Sequence, residues 1–149
     1  VNVDISGKIL EKGRLNYSLN GLECLPGEFF KGNAFEYLAW AKKREKLFDI
    51  IVLDPPSFAR FKGFSFNVQR DLDSLVEASS AVLAPDGFLM VSSNYSAFRL
   101  ENFAQKALNN VKKICGNAQI IWKRSQSADF VGTGLTKDSS LCAVLIQNL

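Results

Sequence analysis

The feature that most constrains the fold of this chain is a short apolar run that stops at an acid followed by two prolines. Residues 50–53 are all apolar, which is typical of a strand buried on both faces of a parallel sheet. The strand must end near Asp54, because Pro55 and Pro56 lack the N–H groups that would continue the hydrogen-bond ladder. Ligands of open α/β sheets bind beyond the carboxyl ends of the strands. We therefore expect Asp54, the prolines and the ring of Phe58 to line a ligand site; a strand-ending turn with a solvated acid is the alternative.

The composition bounds both the size of the fold and the chemistry open to it. With 149 residues, 47% of them hydrophobic, the chain can bury a core, and we expect one domain over residues 1–149. Its net charge of +3 permits a nucleic-acid partner without arguing for one. Three widely spaced cysteines cannot form a fully paired disulfide framework and indicate reduced thiols in a cytoplasmic protein. The sequence has no histidine and no long apolar run, so we expect no histidine base, no metal site and no membrane span.

Strand and helix patterns alternate along the chain. Apolar runs and turn residues predict strands at residues 1–3, 28–31, 48–54, 88–91, 118–122 and 141–146. A helix pattern follows each of the first four strands, residues 55–67 are expected to form a long loop, and residues 85–87 a turn. Such units build a parallel α/β sheet with helices on both faces, and the last two strands can supply an antiparallel edge. The helix residues expected to face inward are Phe35, Leu38, Ala39, Val68, Leu72, Leu75, Val76, Leu83, Phe103, Ala107, Val111 and Ile114.

Polar side chains follow several of these strands. Asp4 comes after the first strand, Asp54 ends the third, and residues 92–96 (Ser-Ser-Asn-Tyr-Ser) follow the fourth. An acid at such a strand end characteristically holds the ribose hydroxyls of a nucleotide. Asn33, just past the second strand, can accept a hydrogen bond from an adenine amino group or cap its own helix, and the two roles are compatible.

The predicted long loop is both basic and aromatic. Residues 55–70 contain Arg60, Lys62 and Arg70 and no acid, interleaved with four phenylalanines. Basic groups between aromatic rings suit a phosphate backbone and a splayed-out base, although some of the rings can instead pack beneath the loop as core. Arg99 also lies after a strand end and can extend this positive rim.

These residues carry a family resemblance. Residues 54–58, Asp-Pro-Pro-Ser-Phe, resemble the Asp-Pro-Pro-x-Phe motif of class I RNA methyltransferases that use S-adenosylmethionine (SAM). Further segments match in the same order, at residues 3–6, 19–22, 66–71, 93–94, 98–99 and 127–130. Together they most resemble the domain that forms 7-methylguanine in bacterial large-subunit ribosomal RNA. The resemblance implies a Rossmann-like three-layer sandwich whose sheet is mostly parallel, with an antiparallel final strand.

The resemblance and the residue patterns together give a set of candidate site residues. The expected SAM-binding residues are Asp4, Ile5, Asn33, Ala34 and Asp54. The expected catalytic residues are Asp54, Pro55, Pro56 and Phe58. The expected RNA-binding residues are Arg60, Lys62, Arg70, Asn94 and Arg99. By the resemblance, Asp4 holds the cofactor ribose, and Asn33 stands where the family usually has an Asp beside the adenine, which should weaken adenine recognition without abolishing it.

The chain departs from the family pattern at its start. The family's first strand and the glycine-rich loop after it belong before Val1, and the Gly-Thr-Gly at residues 132–134 is no substitute because it lies far downstream. We therefore expect a fragment of a longer domain or protein, with one absent strand between those that contain Val1 and Phe48. Without the glycine-rich loop, the chain alone should bind SAM weakly or not at all.

A second departure selects the chemistry. The related 5-methylcytosine enzymes carry a catalytic cysteine where this chain has Asn94, and no cysteine is expected at a strand's carboxyl end near Asp54. Guanine N7 is already nucleophilic and needs only in-line positioning against the methyl donor, whereas pyrimidine C5 needs a thiolate. We therefore expect methylation of guanine N7 in large-subunit ribosomal RNA. The alternatives are methylation of the guanine N2 amine and a non-catalytic RNA-binding module without a donor site. An upstream RNA-binding or second methyltransferase domain can accompany the chain in the full-length protein.

Overall fold

The structure, a computed structural model, describes residues 1–61, 63–125 and 141–149. Lys62, the family segment at residues 127–130 and the Gly-Thr-Gly at residues 132–134 lie outside the described residues. The strands are β1 (Asn2–Asp4), β2 (Phe29–Lys31), β3 (Phe48–Leu53), β4 (Phe58–Phe61), β5 (Phe64–Asn67), β6 (Leu83–Ser93), β7 (Ala118–Ser125) and β8 (Cys142–Asn148). The helices are α1 (Gly7–Leu19), α2 (Ala34–Lys43), α3 (Val68–Ser80) and α4 (Leu100–Cys115). Each predicted strand and helix therefore has a counterpart.

The contacts divide the chain into two compact units, Val1–Arg44 and Glu45–Leu149. In the first unit β1 pairs with β2 in parallel. The Ser6 side chain accepts a hydrogen bond from the N–H of Ile9 and caps α1, as predicted. Gly21 follows this helix with φ = 68°, the left-handed conformation that glycine adopts without strain. The single domain expected over the whole chain stays a prediction.

The second unit is built on a four-stranded sheet in the order β3-β6-β8-β7. β3 and β6 are parallel, and β8 runs antiparallel to both of its neighbours. The predicted antiparallel final strand is thus observed, but the sheet of this unit is mixed, with one parallel and two antiparallel pairings, and is not mostly parallel as predicted. α3 packs against α4, and α4 packs against β7 and β8. The fully buried core side chains include Val68, Val76, Leu89, Val91, Val111, Val144 and Ile146.

The strand β3 is not buried on both faces, which corrects the expectation for residues 50–53. It lies at the end of its sheet and, among the described residues, pairs only with β6. Ile50 and Val52, which share one face because side chains alternate along a strand, are 67% and 61% exposed. Leu53, on the other face, is buried. An apolar run predicts that both faces of a strand are buried, but the residues that bury them must come from other segments of the protein.

Residues 55–67 do not form an irregular loop, because most of them belong to the antiparallel hairpin β4–β5. Gly63 at its tip has φ = 81°, which lets the chain reverse direction there. In β5 the order Phe-Ser-Phe-Asn alternates apolar and polar side chains, and the buried Phe66 lies on the inner face. This alternation was the sequence signal for a strand.

Three smaller expectations are also corrected. Residues 85–87 lie inside β6 as a bulge, where the pairing with β3 shifts register, and do not separate a helix from a new strand. Leu83 is buried as predicted, but as the first residue of β6 and not as part of α3. Ala39 and Ile114 are exposed, because the buried faces of α2 and α4 are set by neighbouring positions that include Ala41 and Val111.

Candidate active site

Asp54, at the carboxyl end of β3, is held from the neighbouring strand. The hydroxyl of Ser92, on β6, donates a hydrogen bond to Asp54 Oδ1 (2.8 Å) and lies 3.3 Å from the carbonyl oxygen of Leu53. The parallel register pairs Leu53 with Val91, so the next residues along, Asp54 and Ser92, meet. Ser92 is 6% exposed, whereas Asp54 is exposed. The protein thus presents a carboxylate to solvent from a buried anchor.

A second hydrogen bond ties the segment after Asp54 to the residues that follow β6. The Ser57 hydroxyl donates to Asn94 Oδ1 (3.3 Å). Pro55 and Pro56 lie between two residues that are each bonded to this part of the chain, so the rigid dipeptide is fixed at both ends. The structure therefore brings the predicted residues Asp54, Pro55, Pro56 and Asn94 together.

The hairpin presents an aromatic ring with a cation upon it. Phe58 is 52% exposed, and the guanidinium carbon of Arg60 lies 5.2 Å from the centroid of its ring. A cation–π contact at an exposed position is weak, so a nucleic-acid base or phosphate can compete for either group. Phe66 is instead 5% exposed and belongs to the core. The core alternative is therefore observed for Phe66, whereas a role of Phe58 toward RNA stays a prediction.

Arg70, a predicted RNA-binding residue, is engaged within the protein. Its guanidinium donates to both carboxylate oxygens of Asp71 (2.7 Å each) and to the carbonyl oxygen of Ser65 (3.0 Å). Asp71 also accepts from the N–H of Asn67 (2.8 Å). The bond from Arg70 lowers the pKa of Asp71, and the Asn67 N–H acts in the same direction. This cluster fastens β5 to the first turn of α3. Sequence reasoning missed it because the acid lies one residue beyond the segment described as free of acids.

In the first unit, two predicted SAM-binding residues lie at the ends of the paired strands: Asp4 is the last residue of β1, and Asn33 follows β2. Asp4 Oδ1 accepts a hydrogen bond from the N–H of Ser6 (2.6 Å), and the Asp4 carbonyl oxygen accepts from the N–H of Gly32 (3.0 Å). Asn33 is 7% exposed, and its Oδ1 accepts from the N–H of Phe35 (2.9 Å) at the start of α2. The capping role of Asn33 is therefore observed, and its role toward adenine stays a prediction.

The hydrogen-bond acceptors at these strand ends suit a nucleoside. Asp4 Oδ2 has no hydrogen-bond partner among the described residues, and a carboxylate oxygen is a natural acceptor for ribose hydroxyls. Ile5 and Ala34 are partly exposed beside the two polar residues and offer apolar surface. Asn33 fits less well, because its oxygen already accepts a backbone bond and little of the side chain is accessible.

One cysteine, Cys142, lies beside the end of β6, although it is at the amino end of its own strand and not at a carboxyl end. Cys142 begins β8 and pairs with Ser93 on β6. Its thiol is 2% exposed and lies within donating distance of the Phe98 carbonyl oxygen (3.9 Å). Burial raises the pKa of Cys142, and the nearby Arg99 opposes that effect. A buried, protonated thiol is a poor nucleophile, so the argument against thiolate chemistry still applies.

Arg99 lies just before α4, where its Nη1 donates to the carbonyl oxygen of Ser96 (3.2 Å). It lines a groove of about 300 Å³ between α3 and α4. Farther along this groove, Asp73 forms an ion pair with Lys106 (2.7 Å) and accepts from Asn110 (2.9 Å). The polar groups of the groove thus largely bridge the two helices.

In residues 1–61, 63–125 and 141–149, no three His, Cys, Asp or Glu side chains group as metal ligands. None of the helices within these ranges is long and apolar enough to cross a membrane.

Solved structures define the class of fold. The chain matches the crystal structure of SMU.776 with bound S-adenosylhomocysteine (SAH) at a TM-score of 0.80 and 22% identity, over 97% of this chain and 38% of that one. It matches a SAM-dependent methyltransferase from Agrobacterium tumefaciens at a TM-score of 0.74 and 19% identity, over 99% and 48% of the two chains. The fold is therefore the α/β fold of SAM-dependent methyltransferases, as the sequence predicted.

The amino-acid sequence is also similar to those of ribosomal RNA methyltransferases. Ribosomal RNA large subunit methyltransferase K from Neisseria meningitidis serogroup B is 34% identical over 115 residues, which are 74% of this chain and 32% of the relative. The chain thus spans about a third of the length of this relative. No family model matches the chain. The predicted resemblance is confirmed as homology to large-subunit ribosomal RNA methyltransferases, without distinguishing the methylated atom.

Proposed function

We propose that this chain is part of the catalytic domain of a cytoplasmic methyltransferase that uses SAM to methylate guanine N7 in large-subunit ribosomal RNA. The observation that carries the proposal is the cluster at the ends of β3 and β6. There Asp54 is anchored by Ser92, and the adjoining prolines lead to the exposed ring of Phe58. The homology to ribosomal RNA methyltransferases supplies the substrate class.

The proposed ligands of SAM are Asp4, Ile5, Asn33 and Ala34 of the first unit and Asp54 of the second. Asp4 Oδ2 is the acceptor for the ribose hydroxyls, because Oδ1 is already bonded to Ser6. When bound, SAM supplies an electrophilic methyl group on a sulfonium. The chain's own residues hold the donor and exclude other orientations, which is the positioning that an in-line transfer requires.

Guanine N7 suits this site better than the other candidate atoms. Its lone pair lies in the plane of the base and takes a methyl group without losing a proton, so no general base is required. A pyrimidine C5 would need a thiolate, and the thiol at this sheet edge, Cys142, is buried with a raised pKa. The guanine N2 amine is the second candidate, because Asp54 Oδ2 and the Pro55 carbonyl oxygen could accept its hydrogens.

The proposed RNA surface consists of the hairpin and the residues after β6. Phe58 and Arg60 offer a stacking ring and a cation, and Asn94 and Arg99 extend the surface at the end of β6. Lys62 belongs to the proposal as well, outside the described residues. Arg70 acts by holding the hairpin through Asp71 and Ser65, in addition to any contact with RNA.

The outer edge of β3 is proposed to pair with a further strand, the family's first, which also brings the glycine-rich loop. Its support is the position of β3 at the sheet end and the exposure of Ile50 and Val52. We predict that residues 1–149 alone bind SAM weakly or not at all, whereas the full-length protein binds it. Isothermal titration calorimetry on both proteins checks this, and equally tight binding by residues 1–149 would contradict it.

The product of the reaction tests the proposed function. The full-length protein, incubated with SAM and a transcript of bacterial large-subunit ribosomal RNA, should yield alkali-labile 7-methylguanine in nucleoside analysis. A variant with Cys24, Cys115 and Cys142 all replaced by Ala should give the same product, apart from any loss of stability caused by removing the buried Cys142 and the partly buried Cys115. N2-methylguanine would favour the second candidate. Formation of 5-methylcytosine that one cysteine substitution abolishes would overturn the choice of nucleophile.

A further inference from the structure

The hydroxyl of Ser92 makes a contact that the proposed reaction has not yet used. Ser92 is 6% exposed, and its Oγ lies 2.8 Å from Asp54 Oδ1 and 3.3 Å from the Leu53 carbonyl oxygen. A hydroxyl carries one proton, and an ionised carboxylate can only accept, so the shorter contact is the donated bond. The bond joins residues that are 38 positions apart in the chain.

The pairing of β3 with β6 does not depend on the hydrogen bond from the Ser92 side chain. The backbone register pairs Leu53 with Val91 whether or not residue 92 carries a hydroxyl. An alanine fits the buried position without losing any backbone bond, so the serine is not needed to align the strands. Its partner is instead the exposed carboxylate just beyond the end of β3.

The bond divides the two oxygens of Asp54 between two tasks. Oδ1 accepts from Ser92, and Oδ2 has no hydrogen-bond partner among the described residues. A carboxylate turns readily about its terminal torsion, and a donor fixed in a buried strand limits that rotation. The anchored oxygen therefore leaves the other one directed outward at the end of the sheet.

We propose that Ser92 is a positioning residue, which holds Asp54 so that Oδ2 faces the target base. This inference rests on the proposed function, since it concerns how the same site orients its substrate. The role differs from that of Ser80, whose buried hydroxyl donates to the Val76 carbonyl oxygen (2.8 Å) within its own helix. Ser80 therefore provides a control of equal size and burial.

A double-mutant cycle in the full-length protein tests the proposal. The variants are Ser92→Ala, Asp54→Ala, the double variant and the control Ser80→Ala. The assay is methyl transfer to a large-subunit ribosomal RNA transcript. Ser92→Ala should lower kcat roughly tenfold to hundredfold, because a misplaced reacting group has an effect of that order. The KM for RNA and the RNA affinity, measured by fluorescence anisotropy without SAM, should change less than about threefold.

The informative comparison is made in the Asp54→Ala background. There Ser92→Ala should cause no further loss, since a residue that acts only through Asp54 has nothing left to position. Ser92→Thr, which keeps the hydroxyl, should recover more activity than Ser92→Ala, and Ser80→Ala should retain the wild-type kcat. Should Ser92→Ala unfold the protein, Ser92→Cys replaces it, because cysteine keeps the volume and donates only weakly.

If Ser92→Ala lowered kcat equally in the wild-type and Asp54→Ala backgrounds, Ser92 would act independently of Asp54. That result would overturn the positioning role of Ser92 and leave the proposed function standing. A wild-type protein that transfers no methyl group to RNA would overturn the proposed function, and the role of Ser92 with it. The two failures are therefore distinguishable in one set of measurements.

Discussion

Two strands of this molecule end in an acid, and the protein holds the two acids in different ways. Asp4 is the last residue of β1 in the first unit, and its Oδ1 accepts a hydrogen bond from the N–H of Ser6, two residues along. Asp54 ends the β3 segment of the second unit, and its Oδ1 accepts from Ser92, on another strand. In sequence the two positions look alike. In structure one is fixed locally and the other by strand pairing.

The difference determines what each carboxylate depends on. The orientation of Asp4 survives as long as the turn after β1 forms, because its anchor is the backbone of the same turn. The orientation of Asp54 requires both the parallel register of β3 with β6 and the hydroxyl of Ser92. An acid that is anchored within its own turn suits a role in binding. Asp54 is anchored to β6, so its position is fixed relative to the end of that strand and to Asn94, which follows it.

The largest expected effect separates the two acids by function. In the full-length protein Asp54→Ala should lower kcat roughly hundredfold with little loss of RNA affinity, since it removes positioning. Asp4→Ala should instead weaken SAH binding roughly tenfold to hundredfold, the cost of one hydrogen bond to a charged group. Steady-state kinetics on ribosomal RNA and calorimetric titration with SAH measure the two quantities.

Matched controls keep this comparison specific. Asp49→Ala removes an exposed carboxylate from the same strand as Asp54, and Glu11→Ala removes one from α1 in the unit of Asp4; neither should alter kcat or SAH affinity. Asp4→Asn keeps an oxygen for the Ser6 N–H while losing the charge, so it should fold normally and still bind SAH less tightly. If both acids affected kcat and SAH affinity in the same proportion, the division of roles would be wrong.

Much of the fold could be predicted because its signals are local. Ser6 and Asn67 cap their helices through side-chain bonds to nearby backbone N–H groups, and such bonds can be recognised within a few residues of sequence. The place of β8 between β6 and β7, and of β3 at the sheet end, depends on which strands pair. Pairing between distant segments leaves no local pattern; the strand expected to be missing beside β3 came from the family resemblance, and the apolar run alone wrongly predicted burial of Ile50 and Val52.

The same division applies to the site. Asp4 and Asp54 were predicted because an acid at the end of a predicted strand is visible in sequence. Ser92 was not singled out as the partner of Asp54, since a serine after a strand has many ordinary roles and only the register shows what it faces. The Arg70–Asp71 pair is different, because two adjacent opposite charges were visible in the sequence and could have been found.

The smallest expected effect concerns Asp71, a third acid that is held both locally and by a charge. Its carboxylate accepts from the Asn67 N–H and from Arg70, and the bond from Arg70 is the main cause of its lowered pKa. A carboxylate whose pKa is lower in the folded state stabilises the fold above its unfolded pKa of about 3.9, and that contribution disappears as the pH falls through the folded value. The melting temperature of the wild-type protein should therefore fall as the pH is lowered below about 5, and Asp71→Asn should make that fall less steep. At pH 7 it should lower the melting temperature by less than about 4 °C, because the pair is exposed and screened by solvent.

Thermal unfolding followed by circular dichroism from pH 3 to 7 measures both effects, with Asp49→Asn as the control on an exposed carboxylate that has no described hydrogen bond. An unchanged acid limb in Asp71→Asn would mean that the cluster around Arg70 does not form in solution, and the hairpin would then lack the brace that holds Phe58 and Arg60 in place.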